Sequence, residues 1–458
     1  MKVIVAGAGL VGYNIARYLA AAGNDVVIID QRAELVNKIG DHLDIQAMQG
    51  HASHPSTLEA AGADDADMFI AVTQVDEVNM VACQVVHTLF NVPTKIARIR
   101  QQDYLEGRFA DLFRRDHLPI DVVISPEVEV AHAIALRLEV PGALNVVPFA
   151  EDRVRLIAVR CTETTPIINT PLRQLTYLFP DLHLVCVGVV RGEQFFIPHA
   201  DDQLRTDDEV YFVVETAHLE RALPAFGYDE RMSDRIIIVG GGNIGLFLAR
   251  ELEERYPHLS IKVIEANPAR AEKIADELER AIVLCGDARD RALLEEANVK
   301  NAQAIVTVTN DDEVNIMSGL LAKRLGCSRA LALVNNATYN MIVRVIGLDV
   351  AINPRETTVS SVLQHVRRGR LKSVYTIRDG EAEVYEAEAL ETSPLVGKPL
   401  RDFKASGGMI VGAVIRDDKV LTPRSDTIVQ AHDRVVMLAR SDIVRKVEQL
   451  FAVRLDYF

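Results

Sequence analysis

The chain carries the same glycine-rich stretch twice, and this duplication is what most constrains its fold. VIVAGAGLVG begins at Val3, and IIVGGGNIG begins at Ile237. In both places a short apolar run precedes the glycines and an amphipathic helical pattern follows them. A glycine turn between a strand and a helix is typical of phosphate-binding loops, because the helix N-terminus offers unpaired N–H groups. One copy is enough for most dinucleotide enzymes, so the second copy needs its own explanation.

The two copies stay in register well beyond their glycines. Each helical pattern leads to an apolar strand that ends on a carboxylate, Asp30 in the first copy and Glu265 in the second. Both acids follow the last loop glycine at close to the roughly 20 residues expected for the ribose-binding acid of a dinucleotide site. The segment T-x-x-D-E-V-N then occurs in both copies, beginning at Thr73 and at Thr309. Each copy therefore predicts βαβ units and a parallel sheet.

A different pattern of short alternating strands follows each copy, and these segments also match each other. TPIINTPLRQL in the first half corresponds to SPLVGKPLRDF in the second. We therefore predict an α/β fold with two Rossmann-like parallel-sheet domains, each followed by a smaller α+β domain, in ABAB order. The length of 458 residues suits this number, since domains commonly have about 100–200 residues. The predicted domains are residues 1–140, 141–228, 229–370 and 371–458, and the polar stretch at residues 227–235 is the predicted joint between the halves.

Composition restricts the kind of partner and the compartment. The chain has 50 basic and 65 acidic side chains and a formal net charge of −15, which disfavours general binding to nucleic acid or anionic lipid. Its five cysteines are odd in number and show no C-x-x-C spacing, so we expect buried reduced thiols. MKVIVAGAG does not resemble a secretory signal, and the longest apolar run, at residues 236–249, is too short to span a bilayer. We expect a cytoplasmic protein that reaches a membrane only through a protein partner.

The glycine loops and the two acids are the strongest candidate site. Glycines let the main chain approach a pyrophosphate, and the following helix presents its positive dipole end to the phosphates. A carboxylate at the end of the next strand accepts hydrogen bonds from ribose hydroxyls and repels a 2′-phosphate, which favours NAD(H) over NADP(H). ATP and ADP also carry a free ribose diol and stay open as ligands. The alternative is that both acids are ordinary solvated strand ends. The predicted contacts are Gly7, Gly9, Gly12 and Asp30 in the first half, and Gly240, Gly242, Gly245 and Glu265 in the second.

Two matching acidic pairs follow later strands and have two interpretations. Asp76 and Glu77 correspond to Asp312 and Glu313. They resemble a general-acid pair or metal ligands. The favoured interpretation is turn and helix-cap groups, with the Asp accepting N–H bonds at the start of its own helix.

Two arginines distinguish the halves. Arg98 and Arg100 align with Leu333 and Asn335 in the second half. A guanidinium in this place suits ligand phosphate. Two exposed arginines on an edge strand are an equally good interpretation.

Two further clusters carry no predicted site. His51 and His54 have helix-like metal spacing, but no neighbouring Cys or third ligand completes a metal site. The basic run at residues 365–372 is best explained as a helix end with favourable dipole placement, and a partner-contact surface is the alternative.

Taken together, the paired glycine loops, the paired acids, the twin T-x-x-D-E-V-N segments and the small domain after each copy resemble one family. They resemble the tandem regulator of potassium conductance (RCK) proteins of bacterial Trk potassium-uptake systems, over essentially the whole chain. The resemblance implies a peripheral, non-enzymatic regulatory subunit on the inner face of the cell membrane. It also implies a homo-oligomeric ring, expected as a tetramer, that gates a TrkH- or TrkG-like transporter when NAD(H), or ATP or ADP, is bound.

The resemblance adds further expected contacts to the candidate site. Thr73, Arg98 and Thr309 are included among the expected nucleotide contacts. Many such domains place a Gly-Asp pair against adenine, and Gly286-Asp287 matches it, whereas the first half has Gly50-His51. The adenine contact is therefore carried over only to Asp287.

An NAD-dependent dehydrogenase is the competing function. Such an enzyme needs a proton-handling residue beside the nicotinamide. The sequence contains no Y-x-x-x-K pair, and the histidines of the small domains do not align between the halves. Regulation is therefore the favoured function, because coupled domains convert differential ligand affinity into movement.

Overall fold

The computed structural model describes residues 1–21, 23–105, 107–178, 183–228, 234–336, 338–339, 346–366, 371–403 and 408–451. The predicted joint at residues 227–235 and the basic run at residues 365–372 lie partly outside these ranges. Within them the chain forms two parallel and two antiparallel sheets in alternation. This confirms the predicted fold class, while the exact domain boundaries stay a prediction.

The first parallel sheet has six strands in the order β3-β2-β1-β4-β5-β6. Val- and Ile-rich runs form its central strands because helices cover both faces, so every side chain of β4 is buried. One face packs around Ile4 and Phe69, and the other packs around Ile28 and Ile70. The strands are β1 Lys2–Ala6, β2 Asp25–Asp30, β3 Gln46–Gln49, β4 Met68–Ala71, β5 Thr94–Arg98 and β6 Val122–Ile124, and the helices are α1 Leu10–Ala21, α2 Ala33–His42, α3 Pro55–Ala60, α4 Asp76–Phe90 and α5 Pro126–Glu139.

The first small domain follows α5 and is an antiparallel sheet in the order β10-β9-β11-β8-β7. Neighbouring strands are antiparallel, and short turns connect β7 to β8 and β9 to β10. The strands are β7 Ala143–Phe149, β8 Val154–Arg160, β9 Leu184–Arg191, β10 Gln194–Phe196 and β11 Glu209–Glu215, and the helices are α6 Leu172–Leu178 and α7 Leu219–Ala222.

The second half repeats both sheets. Its parallel sheet has the order β14-β13-β12-β15-β16-β17, which is the order of the first sheet. The strands are β12 Arg235–Val239, β13 Ser260–Glu265, β14 Ile282–Cys285, β15 Ala304–Thr307, β16 Arg329–Leu333 and β17 Val350–Ile352, and the helices are α8 Asn243–Arg255, α9 Pro268–Glu277, α10 Arg291–Glu296, α11 Asp312–Arg324 and α12 Pro354–Val366. The second antiparallel sheet consists of β18 Leu371–Ile377, β19 Ala382–Glu388, β20 Met409–Arg416, β21 Lys419–Leu421 and β22 Arg434–Arg440, followed by α13 Val444–Phe451.

The two halves exchange a helix. The buried side of α5, from the first half, joins the core of the second parallel sheet, where Ile134 and Leu138 share a cluster with Leu252. In return α12 joins the core of the first sheet through Val362 and Val366. Full burial of such a side chain contributes roughly 1.5–3 kcal/mol. The exchange therefore holds the two parallel-sheet domains together as one body.

The two small sheets also pack on each other, face to face. Tyr211 and Val213 of the first sheet share a buried cluster with Val384 and Leu438 of the second. Gly412 lies at the contact, and a Cβ there would come within 2.6 Å of Val213. The small domains are thus a second inter-half interface.

The cysteines are all free thiols. Cys83, Cys161 and Cys327 are buried, as expected, and burial raises the pKa of the Cys161 thiol to about 12. Cys186 is half-buried, and Cys285 is exposed at the end of an edge strand, so the expectation of burial is wrong for Cys285.

Among the residues that the structure describes, no helix is long and apolar enough to cross a membrane.

Candidate nucleotide site

The three glycines of each loop are required for different steric reasons. Gly7 has a φ of +108° and Gly240 a φ of +103°, a left-handed conformation that side chains disfavour. A Cβ at Gly12 would overlap the carbonyl oxygen of Gly7, so this position allows the helix to pack under the loop. A Cβ at Gly9 would meet nothing within 4 Å. The middle glycine therefore leaves open space in front of the loop, where a ligand phosphate would lie.

The two strand-end acids brace these loops. Asp30 Oδ2 accepts from the main-chain N–H of Ala8 at 2.7 Å, and Glu265 Oε2 accepts from that of Gly241 at 2.7 Å. The other oxygen of each carboxylate accepts a main-chain N–H two residues further on, at 2.9 Å and 2.8 Å. They are therefore more than solvated strand ends. Binding of ribose by the same carboxylates stays a prediction.

Both loops open into one cleft of about 1430 Å³. Residues at the carboxyl ends of strands from both parallel sheets line it, together with the first residues of the exchanged helices α5 and α12. Gly12 and Gly245 do not line the cleft, since they lie beneath their loops against Gly7 and Gly240. The other predicted contacts line it: Gly7, Gly9, Asp30, Thr73, Arg98, Gly240, Gly242, Glu265, Asp287 and Thr309.

The twin T-x-x-D-E-V-N segments form a repeated structural turn. Asn79 Oδ1 accepts from the N–H of Thr73 at 3.0 Å and from its hydroxyl at 2.7 Å. Asn79 Nδ2 donates to the carbonyl of Arg98 at 2.8 Å, which ties the end of β4 to the end of β5. Asn315 makes the same bonds to Thr309 and to the carbonyl of Leu333. The buried Asn makes the same contacts in both halves, which explains why both copies have Thr and Asn at this spacing.

The acidic pairs differ from the favoured expectation. Asp76 Oδ2 accepts from the main-chain N–H of Arg100 at 2.8 Å and of Gln101 at 2.7 Å, so it holds the loop after β5. Asp312 does the same for the loop after β16. The expected capping of their own helices is wrong. Asp311 caps α11 instead, and it accepts from the second and third N–H groups that follow it.

Arg98 lies deeper than an edge-strand arginine would. β5 lies between β4 and β6, and Arg98 is half-buried, so the edge-strand interpretation is wrong for it. Arg98 Nη2 donates to the carbonyl of Thr73 at 2.6 Å, and Nε has no partner in the described structure. Burial, and then the nearby charge of Arg100, lower the pKa of Arg98. A partly buried cation lowers its energy when it meets an anion.

Arg100 is already paired. Its Nε donates to Glu127 Oε1 at 2.9 Å, and its side chain is 57% exposed while that of Glu127 is 10% exposed. Glu127 is the second residue of α5 and lines the cleft. At the first site the cleft is therefore lined by an ion pair of one positive and one negative side chain.

Further cations line the second half of the cleft, and the sequence reasoning missed them. Arg289 holds Asp287 through Nε at 3.0 Å and Nη2 at 2.6 Å. This hydrogen bonding lowers the pKa of Asp287 to about 2. Arg270 and Arg355 also line the cleft. A signal for Arg289 existed, since it follows Asp287 by two residues, and Arg270 follows the strand-end acid Glu265 by five, whereas Arg355 is distant from any motif.

His51 and His54 stack on each other. Their ring centroids lie 4.4 Å apart, and His51 Nδ1 lies 2.9 Å from Ser53 Oγ. Within the described ranges, no group of three His, Cys, Asp or Glu side chains could hold a metal ion. We propose no metal site here.

Comparison with known proteins agrees with this geometry. The TrkA-N domain model matches residues 3–126 and 236–354, and the TrkA-C domain model matches residues 384–452. The Trk system potassium uptake protein TrkA of Azorhizobium caulinodans is 51% identical over 100% of both chains, and that of Vibrio alginolyticus is 41% identical over 98% of both.

Solved structures agree on the fold. The crystal structure of the GsuK RCK domain has a TM-score of 0.59 and 17% identity over 99% of this chain and 95% of that chain. The GsuK channel bound to NAD has a TM-score of 0.59 and 16% identity over 99% of this chain and 79% of that chain. With paired RCK-type halves and full-length relatives, the chain belongs to the TrkA family of Trk system potassium uptake proteins.

Proposed function

We propose that the chain is a nucleotide-binding regulatory subunit that gates a membrane potassium transporter and catalyses no reaction. One observation carries the proposal: two glycine-loop sites open into a single cleft whose walls come from both halves of the chain. A ligand in such a cleft touches two bodies at once. Its binding free energy therefore acts on their relative position.

The ligand is a nucleotide with a diphosphate and an unmodified ribose. The open space at Gly9 and Gly242 lies at the N-terminal ends of α1 and α8, where unpaired N–H groups and the helix dipole favour phosphate. Asp30 and Glu265 stand beside the loops and disfavour a 2′-phosphate. NAD(H), ATP and ADP all meet these requirements, and in the first half Arg98 supplies a partly used cation.

The exchanged helices provide a route from the cleft to the small domains. Glu127, near the start of α5, lines the cleft, and the end of α5 contacts the first small domain. There Arg137 Nε donates to the carbonyl of Leu144 at 3.0 Å, and Arg329 Nη1 from the second half donates to the carbonyl of Arg137 at 2.9 Å. A shift of α5 therefore moves the small domain against the second half. Ligands that favour different positions of α5 would set different states.

The arrangement supports regulation better than hydride transfer. Three acids that line the cleft are engaged in bracing: Asp30 and Glu265 each accept two main-chain N–H groups, and Asp287 is held by Arg289. Groups fixed in this way position loops and are not poised to move protons. A dehydrogenase has no support of its own in this geometry.

The partner we propose is a TrkH- or TrkG-like potassium transporter subunit at the inner face of the cell membrane. The chain acts there as a homo-oligomer, a tetramer whose parallel-sheet domains form one ring. The support is the family itself, because the relatives are named as potassium uptake proteins.

The test combines binding, flux and turnover. Purified protein is titrated with NADH, NAD, ATP and ADP, and potassium flux through the reconstituted transporter is recorded with and without the subunit. We expect stoichiometric binding and flux that depends on the nucleotide. Identical flux under every condition, or turnover of hydroxy or keto substrates with NAD(H), would contradict the proposal. Light scattering measures the assembly, and a monomer of 50.6 kDa would contradict the ring.

A further inference from the structure

The second glycine loop is closed by a ring of hydrogen bonds. Arg270 Nε donates to the carbonyl of Gly241 at 2.7 Å, and the N–H of Gly241 donates to Glu265 Oε2 at 2.7 Å. Glu265 Oε1 accepts from the N–H of Asn267 at 2.8 Å, and Asn267 Oδ1 accepts from the N–H of Arg270 at 3.0 Å. The ring joins the loop, the end of β13 and the start of α9. It holds the guanidinium of Arg270 directly beside the loop.

The first half has no such ring. Arg270 is the third residue of α9, and the third residue of α2 is Leu35. The residue before α2 is Arg32, which makes no side-chain cap, whereas Asn267 caps α9. The loops also differ at their second position, which is Ala8 in the first half and Gly241 in the second. A methyl group at Gly241 would overlap the side chain of Ile274 on α9. The contact between the loop and this helix therefore differs between the two halves.

The ring uses only part of the guanidinium. Arginine has five N–H donors in a planar fork, and Nε supplies just one of them. Arg270 lines the cleft, and its terminal nitrogens make no hydrogen bond to any residue in the described ranges. Gly242, the middle glycine of this loop, also lines the cleft, and a Cβ there would meet nothing within 4 Å. Guanidinium forks bind phosphate through two parallel bonds, and an anchored fork loses little freedom on binding.

We propose that Arg270 binds the diphosphate of the nucleotide at the second site. The inference rests on nucleotide binding at the glycine loops. The recognised chemistry is the diphosphate shared by NAD(H) and ADP. The two sites then hold phosphate with cations from different places: the first with Arg98 at the end of β5, and the second with Arg270 beside the loop itself.

The test isolates the second site. Gly9→Val fills the open space of the first loop and blocks that site. In this background Arg270→Gln and Arg270→Lys are titrated with NADH, ADP and adenosine by calorimetry. We expect Arg270→Gln to weaken the binding of NADH and of ADP by about tenfold, as for one lost charge-assisted pair. The affinity for adenosine should change by less than about twofold. Arg270→Lys should recover part of the loss.

A matched control removes a charge from the same helix outside the cleft. Lys273 lies about one turn further along α9, and its side chain is 66% exposed. The Lys273→Gln variant should leave all three affinities unchanged. Unchanged NADH and ADP affinities in Arg270→Gln would overturn the inference. An equal loss for adenosine would also overturn it, because Arg270 would then only brace the loop. Nucleotide binding that survives Gly9→Val with Gly242→Val would instead overturn the proposed function, whatever Arg270 does.

Discussion

Glu139 and Arg155 form a buried ion pair at the end of the exchanged helix. Glu139 Oε2 lies 2.8 Å from Arg155 Nη1, and the two side chains are 11% and 9% exposed. Glu139 Oε1 accepts from the hydroxyl of Tyr256 at 2.5 Å and from Arg255 Nη1 at 3.2 Å. One carboxylate thus joins α5, the first small domain and the second parallel-sheet domain.

Loss of this carboxylate should destabilise the chain. Glu139→Ala leaves the Arg155 guanidinium with only Asp152 as its acid, and breaking a buried ion pair costs about 3–5 kcal/mol. We expect a clear drop in the free energy of unfolding, measured by denaturant titration. The control is Asp201→Ala at an exposed pair with Arg173, where a change below about 1 kcal/mol is expected. Equal effects of the two substitutions would contradict the role of Glu139.

The glycines of one loop should separate binding from folding. Gly12→Ala puts a methyl group onto the carbonyl of Gly7, and overpacking of this kind costs roughly 1–3 kcal/mol or more. Gly9→Val has open space and should leave the thermal unfolding midpoint nearly unchanged, but it should remove nucleotide binding at the first site. Calorimetric titration and thermal unfolding check the pair. Full nucleotide affinity in Gly9→Val would show that the phosphates lie elsewhere.

The loops and their acids were predictable because each depends on a local pattern, and the second copy confirmed the alignment of the first. Asp76 shows the limit of such patterns. A carboxylate at a helix start can accept from its own helix or from a neighbouring loop, and spacing does not distinguish the two. The structure places it on the loop after β5, and Asp311 is the residue that caps α11.

The exchange of α5 and α12 was not predictable in the same way. Both helices show an apolar stripe, but periodicity does not say which sheet covers that stripe. The shared cleft follows from the exchange, so its form was also out of reach. Arg270 was missed because its role depends on where its guanidinium lies relative to the loop, which its spacing from Glu265 does not encode.

The strand-end acids should each govern one site. Asp30→Ala and Glu265→Ala are expected to weaken nucleotide binding about ten- to a hundredfold at the first and second site respectively, at roughly 1.4 kcal/mol per decade. Because both acids also brace their loops, Asp30→Asn and Glu265→Gln serve as matched variants that keep an oxygen acceptor. Unchanged stoichiometry and affinity in all four would contradict a ribose-binding role.

Asp287 should stay ionised through the physiological pH range. Its hydrogen bonds with Arg289 lower its pKa to about 2, against an ordinary value of 3.8. A lowered pKa means that the pair stabilises the fold above about pH 4 and that this contribution fades as the pH falls toward 2. Arg289→Ala should return the pKa of Asp287 toward its ordinary value, which a carboxyl NMR titration measures. A pKa of Asp287 that is already near 3.8 with Arg289 present would contradict the pairing.

Arg98 should make the first site sensitive to phosphate charge. Its Nη2 is anchored on the carbonyl of Thr73, and its Nε has no partner in the described structure, so an added phosphate group gains a partly buried cation. Arg98→Ala should weaken the binding of ATP at the first site by about tenfold or more, as expected for a charge-assisted bond. It should weaken the binding of NADH by less. The second site has Leu333 in the same place and should be indifferent, so Leu333→Ala is the matched control. The measurement is calorimetric titration of both nucleotides, with Gly242→Val blocking the second site. An equal loss for ATP and NADH would mean that Arg98 only supports the turn at Thr73, and no loss for either would remove it from the site altogether.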